Sequence, residues 1–301
     1  MRGLVLCALL GCWHTATAGG GWVSFWYYPP AYGGSDINAT LDLLKRHEGV
    51  VTSVMLGCDH SVSAVGGVTA PSQTSLDLCT TTIAGLISSR VKPELVMGGS
   101  NITQLRQFFA NADTNIDALV KIGRSLGATG WNLDMEPTTS VAADAKLYAD
   151  FLRAAKPKLN AAGMRLTIAT ATWSPMLSDT ALLAPQVDRV LNMETYNADS
   201  MSGWLNGDAV GGYYSKFVAP PTSHSKLGPG LGCWPAKCGP TPHACWSTTP
   251  ASGPPRMARI VADGLPEVAL FRIIQVPQRP DLQWPEEWWW PLLAKFAAGH
   301  N

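Results

Sequence analysis

Charge is scarce in this chain, and neither sign is in excess. Lys and Arg together number 22, as do Asp and Glu, and charged residues make up only 15% of the 301 residues. The sequence therefore lacks the basic surface that nucleic-acid binding needs and the cationic helix that favours a membrane surface. We expect no nucleic-acid partner, no membrane partner, and an uncharged molecule as the binding partner.

Long apolar runs are also missing, except at the N-terminus. No later stretch approaches the roughly 20 apolar residues that a membrane-spanning helix requires. The run Leu4–Trp13 follows a charged start and precedes the small residues Ala16-Thr17-Ala18, an order that predicts a signal peptide over residues 1–18. The chain is 46% hydrophobic, so residues 19–301 can bury the core of one domain.

The predicted signal peptide directs the chain to the secretory pathway. We expect a monomer that is secreted or held in the lumen of lysosomes or another secretory compartment. Asn38-Ala39-Thr40 and Asn101-Ile102-Thr103 are acceptor sequons for N-glycans in that route, although such triplets also arise by chance.

Cysteine is limited and odd in number. Beyond the predicted signal peptide, the remaining cysteines are Cys58, Cys79, Cys233, Cys238 and Cys245. In an oxidising compartment we favour a Cys58–Cys79 bridge and one pair within the loop 233–245, with one thiol left over. A zinc site is the alternative, but that loop offers only His243 nearby and lacks paired two-residue spacings. We predict no metal and no cofactor.

Two common catalytic motifs are absent. No Gly-x-Gly-x-x-Gly follows the first predicted strand, which disfavours an open dinucleotide-binding sheet, and no Gly-x-Ser-x-Gly elbow indicates a serine hydrolase. Short apolar runs bounded by turn residues recur instead about every 25 to 40 residues, with helix-like stretches between most of them. The eight predicted strands are Trp22–Tyr28, Val50–Leu56, Glu94–Gly98, Gly130–Glu136, Arg165–Thr172, Arg189–Tyr196, Leu227–Cys233 and Val268–Val276.

Helical spacing of apolar residues fills the intervals between these runs. The predicted helices are Ile37–His47, Ser75–Ser89, Asn115–Leu126, Val141–Ala162 and Arg256–Asp263. Eight strands joined by helices predict an α/β fold, a single (β/α)8 TIM barrel over residues 19–301.

The fourth predicted strand carries three polar residues at alternate positions. Asn132, Asp134 and Glu136 share one face, because side chains alternate along a strand, and Leu133 and Met135 take the other face. The two carboxyl groups are then about 7 Å apart along the backbone, close enough for one ionisation to hinder the other. This pattern favours acid catalysis near neutral pH.

Other strand ends are also rich in polar and aromatic residues. In a barrel these ends meet at one rim, where active sites lie. The fifth, sixth and seventh predicted strands end at Thr172 and Trp173, at Glu194, Tyr196 and Asn197, and at Gly232, Cys233 and Trp234. A single polar strand end is typical of a cap for the next helix, but several at one rim favour a site.

The string Gly130–Glu136 resembles the fourth-strand signature of glycoside hydrolase family 18, Asp-Gly-x-Asp-x-Asp-x-Glu. Two positions differ, because Thr129 stands in place of the first Asp and Asn132 in place of the middle one, the latter as in the di-N-acetylchitobiase branch. Glu194-Thr-Tyr-Asn197 is similar to the Met-x-Tyr-Asp/Asn element of the sixth strand. The resemblance implies a chitinase-like or endo-β-N-acetylglucosaminidase-like barrel.

The family's eighth strand usually ends in a tryptophan, which Phe271–Val276 lacks. Trp284 or the cluster Trp288–Trp290 would have to take its place at the sugar site. The cluster is also expected to pack the terminal helix on the barrel.

The resemblance implies a mechanism assisted by the substrate and retaining its configuration. Glu136 would protonate the departing glycosidic oxygen and later activate water. Asp134 would orient the substrate's acetamide as it attacks the anomeric carbon, Tyr196 would donate a hydrogen bond to the acetamide oxygen, and Asn197 would hold the sugar. No enzyme nucleophile is needed.

Asn132 can be read in two ways. As a neighbour of the acid pair, its amide would bond Asp134 without exchanging charge and keep Asp134 ionised over a wider pH range. As a packing residue, it would be satisfied by neighbouring strands.

The chain has 12 tryptophans, and indole stacks well on flat sugar faces. The tryptophans expected near the rim are Trp26, Trp173, Trp204 and Trp234. Trp131 points away from the catalytic face and is assigned to packing.

Two other functions remain open. Glu136 and Glu194 could form the acid and the nucleophile of an ordinary retaining glycosidase, although Glu194 otherwise groups with the substrate-binding residues. The substitutions at Thr129 and Asn132 could instead mark a sugar-binding barrel without turnover. The substrate, whether chitin, a chitooligosaccharide, the chitobiose core of N-glycans or a peptidoglycan-like polymer, is left open by the sequence.

Overall fold

The computed structural model describes residues 20–29, 35–193, 201–206, 214–233, 248–277 and 283–299. Its strands are β1 (Trp22–Tyr27), β2 (Ser53–Val62), β3 (Val68–Thr69), β4 (Lys92–Gly99), β5 (Gly130–Met135), β6 (Arg165–Thr170), β7 (Arg189–Asn192), β8 (Leu227–Gly232), β9 (Glu267–Gln275) and β10 (Gln283–Trp284). Its helices are α1 (Ile37–Arg46), α2 (Gln73–Ser88), α3 (Ile102–Ala110), α4 (Ala112–Leu126), α5 (Ala142–Ala161), α6 (Thr180–Leu183), α7 (Met201–Asn206), α8 (Tyr214–Phe217), α9 (Gly253–Ala262) and α10 (Trp289–Ala297).

Eight of the strands close into a parallel barrel. Their order is β1-β2-β4-β5-β6-β7-β8-β9, and β9 pairs in parallel with β1 to complete the ring. The short strand β3 pairs antiparallel with β2, and β10 pairs antiparallel with β9. The predicted (β/α)8 TIM barrel is confirmed, and each of the eight predicted runs overlaps one barrel strand.

The two faces of the strands separate two apolar clusters. Inside the barrel lie small and medium side chains with one large ring: Trp26, Met55, Val96, Ala169, Ala171, Leu191, Met193 and Ala269. Trp131, Leu133 and Met135 belong to the larger cluster between the strands and the helices. The Trp131 indole donates to the carbonyl of Leu119 in α4 at 3.1 Å. The alternation predicted for the fourth strand is therefore confirmed, with Trp131 in the packing role.

Two polar contacts fix where α5 begins. The Asp144 carboxylate accepts a hydrogen bond from the Val141 amide at 2.8 Å and caps the first turn. Arg106 of α3 donates to both oxygens of the same carboxylate, at 2.7 and 2.9 Å. The long helix after the fourth barrel strand thus begins close to its predicted residue and is tied to α3.

A charged cluster occupies the amino-terminal end of the barrel. Arg165 of β6 bonds Glu94 of β4 at 3.2 Å and Glu267 of β9, so one side chain links three strands. Both glutamates are 1% exposed or less. The guanidinium of Arg165 also lies 4.2 Å from the ring centroid of Trp22. Ion pairs therefore hold this end of the barrel. Because Arg165 and Glu267 begin their strands, it is the end opposite the carboxyl-terminal rim.

The cysteines behave partly as expected. Cys58 of β2 and Cys79 of α2 form a disulfide with a Cα–Cα distance of 5.9 Å, as predicted. Cys233 is a buried free thiol whose Sγ donates to the carbonyl of Arg272 at 3.2 Å. Cys238 and Cys245 lie outside the described residues, so a pair between them stays a prediction.

The terminal tryptophans pack outside the barrel. Trp290 stacks on His47 with ring centroids 3.7 Å apart, and Trp289 and Trp290 are at most 4% exposed. The expected packing of the terminal helix is confirmed. In the part of the chain that the structure describes, no helix combines the length and apolar character needed to cross a bilayer.

Candidate active site

The acid pair sits where β5 ends at the carboxyl-terminal rim. Asp134 pairs in register with Gly98 of β4, and the amide of Glu136 donates to the carbonyl of Gly99 at 2.7 Å. Both carboxyl side chains are half-buried on the face opposite Leu133 and Met135. The neighbouring strand thus fixes the backbone that carries both acids, and Gly98, where an added Cβ would meet only the Asp134 carbonyl at 3.8 Å, leaves the space beside them free of bulk.

The environment of these carboxyls favours retention of a proton. Burial raises the pKa of Asp134 well above its ordinary value, and the charge of Glu136 and a hydrogen bond to it act in the same direction. Burial also raises the pKa of Glu136, while the hydrogen bond from Asp134 opposes the shift. The pair therefore holds one proton to higher pH than an isolated carboxyl does.

A cleft of about 370 Å³ opens beside Asp134, within the size range of ligand pockets. Its lining comes from the ends of β1, β4 and β5 and from the segment 57–72, which we call the β2–β3 wall. The lining residues are Tyr28, Gly57, Asp59, His60, Ser61, Thr69, Ala70, Pro71, Ser72, Val96, Gly98 and Asp134. Asp134 thus faces a hollow of the size that a sugar unit requires.

Tyr28 and Phe271 form an aromatic floor near the acids. Their ring centroids are 6.3 Å apart at 72°, and Phe271 also contacts Trp26 at 6.1 Å. Tyr28 lines the same cleft as Asp134, and burial, together with the charges of Asp134 and Glu136, raises the pKa of its phenol. A Cβ on Gly57 would lie 2.2 Å from the Tyr28 ring, so glycine is needed where that ring crosses β2.

This floor differs from the one expected from the sequence. Phe271, in β9, supplies the aromatic ring at the eighth barrel strand. Trp289 and Trp290 lie in the outer cluster, and Trp284 belongs to β10, which pairs with the carboxyl end of β9. The cluster Trp288–Trp290 therefore does not replace the missing tryptophan, whereas Trp284 pairs with Ile274 at the carboxyl end of β9 and its role at the sugar site stays a prediction.

Asn132 is fully buried and bonds a neighbouring strand. Its Nδ2 donates to Thr167 Oγ1 at 2.9 Å, and its Oδ1 has no hydrogen-bond partner among the described residues. This geometry favours the packing interpretation. The expectation that Asn132 would keep Asp134 ionised over a wider pH range is not supported, because burial raises the pKa of Asp134 and the amide is engaged by Thr167.

The tryptophans expected at the rim occupy different environments. Trp173 follows β6 and is 42% exposed, next to Ser174, whose hydroxyl is 2.9 Å from that of Ser140. Trp26 is 1% exposed inside the barrel. Trp204 is fully buried and stacks on Tyr214 at 4.0 Å, so the expectation of a sugar subsite there is wrong, because α7 and α8 cover its ring.

Four predicted site residues, Glu194, Tyr196, Asn197 and Trp234, lie outside the described residues. Their assignments as substrate-binding or catalytic groups stay predictions. Among the residues that are described, no group of three or more His, Cys, Asp or Glu side chains is arranged to hold a metal ion.

Sequence reasoning missed most of the lining residues, among them Tyr28, Asp59 and His60. Tyr28 had an available signal, since it ends the first strand two places after Trp26 and so shares its face. Asp59 and His60 had none, because the predicted second strand stops at Leu56 and the irregular pairing beyond it follows no periodic pattern.

No family model matches the chain, and no curated protein is significantly similar to it. Solved structures match over most of its length. The spore cortex-lytic enzyme SleL of Bacillus megaterium has a TM-score of 0.65 and 15% identity, with 92% of this chain and 74% of that chain covered.

Two chitinases give similar values. The enzyme from Chromobacterium violaceum has a TM-score of 0.66 and 13% identity, covering 93% and 100% of the two chains. The Group IV chitinase of Ostrinia furnacalis, also solved in complex with allosamidin, has a TM-score of 0.66 and 13% identity, covering 92% and 98%. The barrel described here therefore has the chitinase-like fold of glycoside hydrolase family 18, which its fourth-strand motif predicts.

Proposed function

We propose that this chain is a glycoside hydrolase that cleaves β-1,4 bonds in glycans containing N-acetylglucosamine. The observation that carries the proposal is the proton-sharing pair Asp134 and Glu136 at the carboxyl end of a barrel strand, beside a cleft of about 370 Å³. Hydrolysis of a glycosidic bond needs a protonated acid at the leaving oxygen, and a partly buried glutamate with a raised pKa supplies one.

In the proposed mechanism Glu136 acts first as acid and then as base. It gives its proton to the departing glycosidic oxygen while the substrate's acetamide oxygen forms a bond to the anomeric carbon. Water then attacks that carbon and returns a proton to Glu136, which restores the acetamide and retains the configuration. Asp134 shares a proton with Glu136. In its protonated form it can donate a hydrogen bond to Glu136, and in its ionised form it can stabilise the positive charge that develops on the acetamide.

The rest of the cleft supports a sugar ligand. Tyr28 and Phe271 offer aromatic surface near the acids, and Trp173 presents an exposed indole on the same rim. Aromatic rings pack well against the apolar faces of sugars. In this proposal Tyr196 bonds the acetamide and Asn197 the sugar, as their positions in the sixth-strand motif predict.

Turnover of chitotetraose and of a chitobiose-containing N-glycan tests the proposal. We expect the parent chain to release product and Glu136→Gln to lose about 100-fold to 10,000-fold in turnover, because the amide has no proton to transfer. Glu136→Gln should still bind chitotetraose. Allosamidin, which the Ostrinia chitinase binds, should inhibit the parent chain.

Other outcomes identify the alternatives. Tight binding of chitotetraose with no product from the parent chain would indicate a sugar-binding barrel without turnover. Covalent labelling of Glu194 by a fluorinated sugar would indicate the two-carboxylate mechanism instead.

We also propose that residues 1–18 are removed and that the mature chain enters the secretory route. Expression of the full chain in secreting cells, followed by N-terminal sequencing of protein from the medium, tests this. A mature N-terminus near residue 19 is expected, whereas an intact Met1 in cell extract would contradict it.

A further inference from the structure

The two N-glycan sequons differ in how the folded chain presents them. Asn38 and Thr40 lie in the first turn of α1, and Asn101 and Thr103 lie where α3 begins. Both asparagines are exposed, and so is Thr103, but Thr40 is only 1% exposed. The Thr40 hydroxyl donates to the carbonyl of Asp36 at 2.8 Å. The first sequon is therefore closed once α1 has formed, whereas the second stays open in the folded chain.

Asn101 uses only one end of its side-chain amide. Its Oδ1 accepts hydrogen bonds from the backbone amides of Thr103 at 3.0 Å and Gln104 at 3.2 Å, which caps α3. Its Nδ2 donates no hydrogen bond to the described residues. An N-glycan is attached through Nδ2. A glycan on Asn101 would therefore leave Oδ1 in place as the cap, so the modification and the fold are compatible.

Asn101 lies on the same rim as the acid pair. It follows the end of β4 at Gly99 by two residues, and the carbonyl of Gly99 accepts the amide of Glu136 at 2.7 Å. Gly98 of the same strand lines the cleft, and three residues of extended chain span at most about 11 Å. A group attached to the exposed Asn101 therefore projects into solvent beside the cleft.

We propose that Asn101 is an N-glycan attachment site at the edge of the cleft. The site lies outside the proposed activity, and its occupancy rests on the proposed entry of the chain into the secretory route, which supplies the donor, a lipid diphosphate-linked oligosaccharide. Transfer forms a bond from Nδ2 to the anomeric carbon of the first N-acetylglucosamine and breaks the bond from that carbon to the diphosphate. The amide gives up one proton, and the lipid diphosphate leaves. The hydroxyl that the acceptor triplet requires belongs to the exposed Thr103.

Secretion of the full chain from cultured eukaryotic cells tests the site. The chain carries Glu136→Gln, so that the proposed activity cannot trim a glycan at its chitobiose core. Peptide-N-glycosidase releases an N-glycan and converts the asparagine that carried it to aspartate, and peptide mass mapping of the secreted protein locates that change. We expect most of the secreted chains to undergo this conversion at Asn101, and only after the treatment.

Two variants separate the glycan from the cap. Thr103→Ala removes the acceptor triplet and leaves Asn101 as the cap, and Asn101→Asp keeps a capping oxygen without an acceptor amide. Each should lose the mass of one glycan. In protein freed of glycans, both should keep the thermal midpoint of the parent within about 1 °C, whereas Asn101→Ala, which also loses the cap, should fall by about 2–4 °C.

Thr114→Ala is the matched control. It removes an exposed threonine from the first turn of α4 that belongs to no acceptor triplet, so this variant should keep the glycan. A Thr103→Ala chain with the same glycan mass as the Thr114→Ala chain would overturn the site.

The outcomes also separate the site from the proposals on which it rests. A chain in the medium that begins near residue 19 but has no conversion at Asn101, or conversion at Asn38 alone, overturns the glycan site and leaves the secretory route standing. A chain that stays in the cell with Met1 intact overturns both, because no glycan donor reaches it. Cleavage of chitotetraose by the parent chain bears on the proposed activity and not on the site.

Discussion

Asp134 illustrates a conflict between activity and stability at a single residue. Its carboxyl is placed where burial and the neighbouring Glu136 raise its pKa, so the folded chain resists its ionisation more than the unfolded chain does. A raised folded pKa means that stability is fully present at low pH and is lost as the pH rises through the folded value. The residue that the mechanism needs is therefore a source of instability near neutral pH.

Replacing this carboxyl should reveal the conflict. We expect Asp134→Asn to raise the free energy of unfolding by about 1 kcal/mol near pH 7, with a smaller gain near pH 4, because the amide cannot ionise. The same variant should lose about 100-fold in turnover. Urea unfolding at both pH values and chitotetraose turnover check this. A variant less stable than the parent at neutral pH would contradict the argument.

The position of a single side chain could be predicted from the sequence only where the backbone is regular. Asn132, Asp134 and Glu136 follow strand alternation, and their shared face is as the sequence predicts. His60 follows an irregular pairing, so its position in the cleft depends on the three-dimensional register of β2 and β4, which no local pattern encodes. The pKa of Asp134 likewise depends on burial, which only the assembled barrel determines.

Among the elements, the junction of β2 and α2 governs the cleft wall. The Cys58–Cys79 disulfide joins them directly before Asp59, across a sequence separation of 21 residues. Closing a loop of this length stabilises the fold by about 3 kcal/mol in the chain-entropy view. Ser75 of α2 also bonds Asp59, so the bridge and the hydroxyl hold the same part of the wall.

Removing the bridge should affect stability and binding together. We expect the double variant Cys58→Ser with Cys79→Ser to lose about 3 kcal/mol in urea unfolding and to bind chitotetraose more weakly than the parent. Reductant should lower the stability of the parent toward that of the variant. The matched control is Cys233→Ser, a thiol outside the bridge, which should leave the sensitivity of the protein to reductant unchanged.

Elements with clear periodicity were predicted closely, and irregular ones were not. The helix predicted at Val141–Ala162 is α5, Ala142–Ala161, since its apolar spacing and the Asp144 cap agree. The second strand runs on from the predicted Leu56 to Val62, because a bulge in its pairing with β4 and the pairing with β3 extend it beyond its apolar run. The short helices α7 and α8 gave no periodic signal, since few residues of each meet the core.

At the scale of the whole molecule, the charged cluster closes one end of the barrel. Arg165 bonds Glu94 and Glu267 across three strands, and burial raises the pKa of Glu94 while Arg165 lowers it. Removing one partner of a buried ion pair leaves an uncompensated buried charge and lowers the free energy of unfolding by about 3–5 kcal/mol. Closure of the barrel thus depends on one arginine far from the acids.

Arg165→Met should lower the free energy of unfolding by about 3–5 kcal/mol at pH 7. The loss should shrink toward pH 4.5, because the pKa of Glu94 rises further without the arginine and the protonated acid tolerates burial. Chemical unfolding at both pH values measures this. Arg153→Met removes an exposed pair with Asp150 and should change stability little at either pH. A loss that is independent of pH would contradict the electrostatic account.

The bulge in β2 and the hairpin that follows it shape the cleft wall separately from the strand that carries the acids. The acid pair lies on a strand whose backbone is paired on both sides, while part of the cleft wall comes from a hairpin anchored by the Cys58–Cys79 bridge. A graft of a different hairpin between Cys58 and Cys79 would leave β5 untouched. Libraries confined to that insert are therefore a direct way to vary the cleft wall without altering the strand that carries the acid pair.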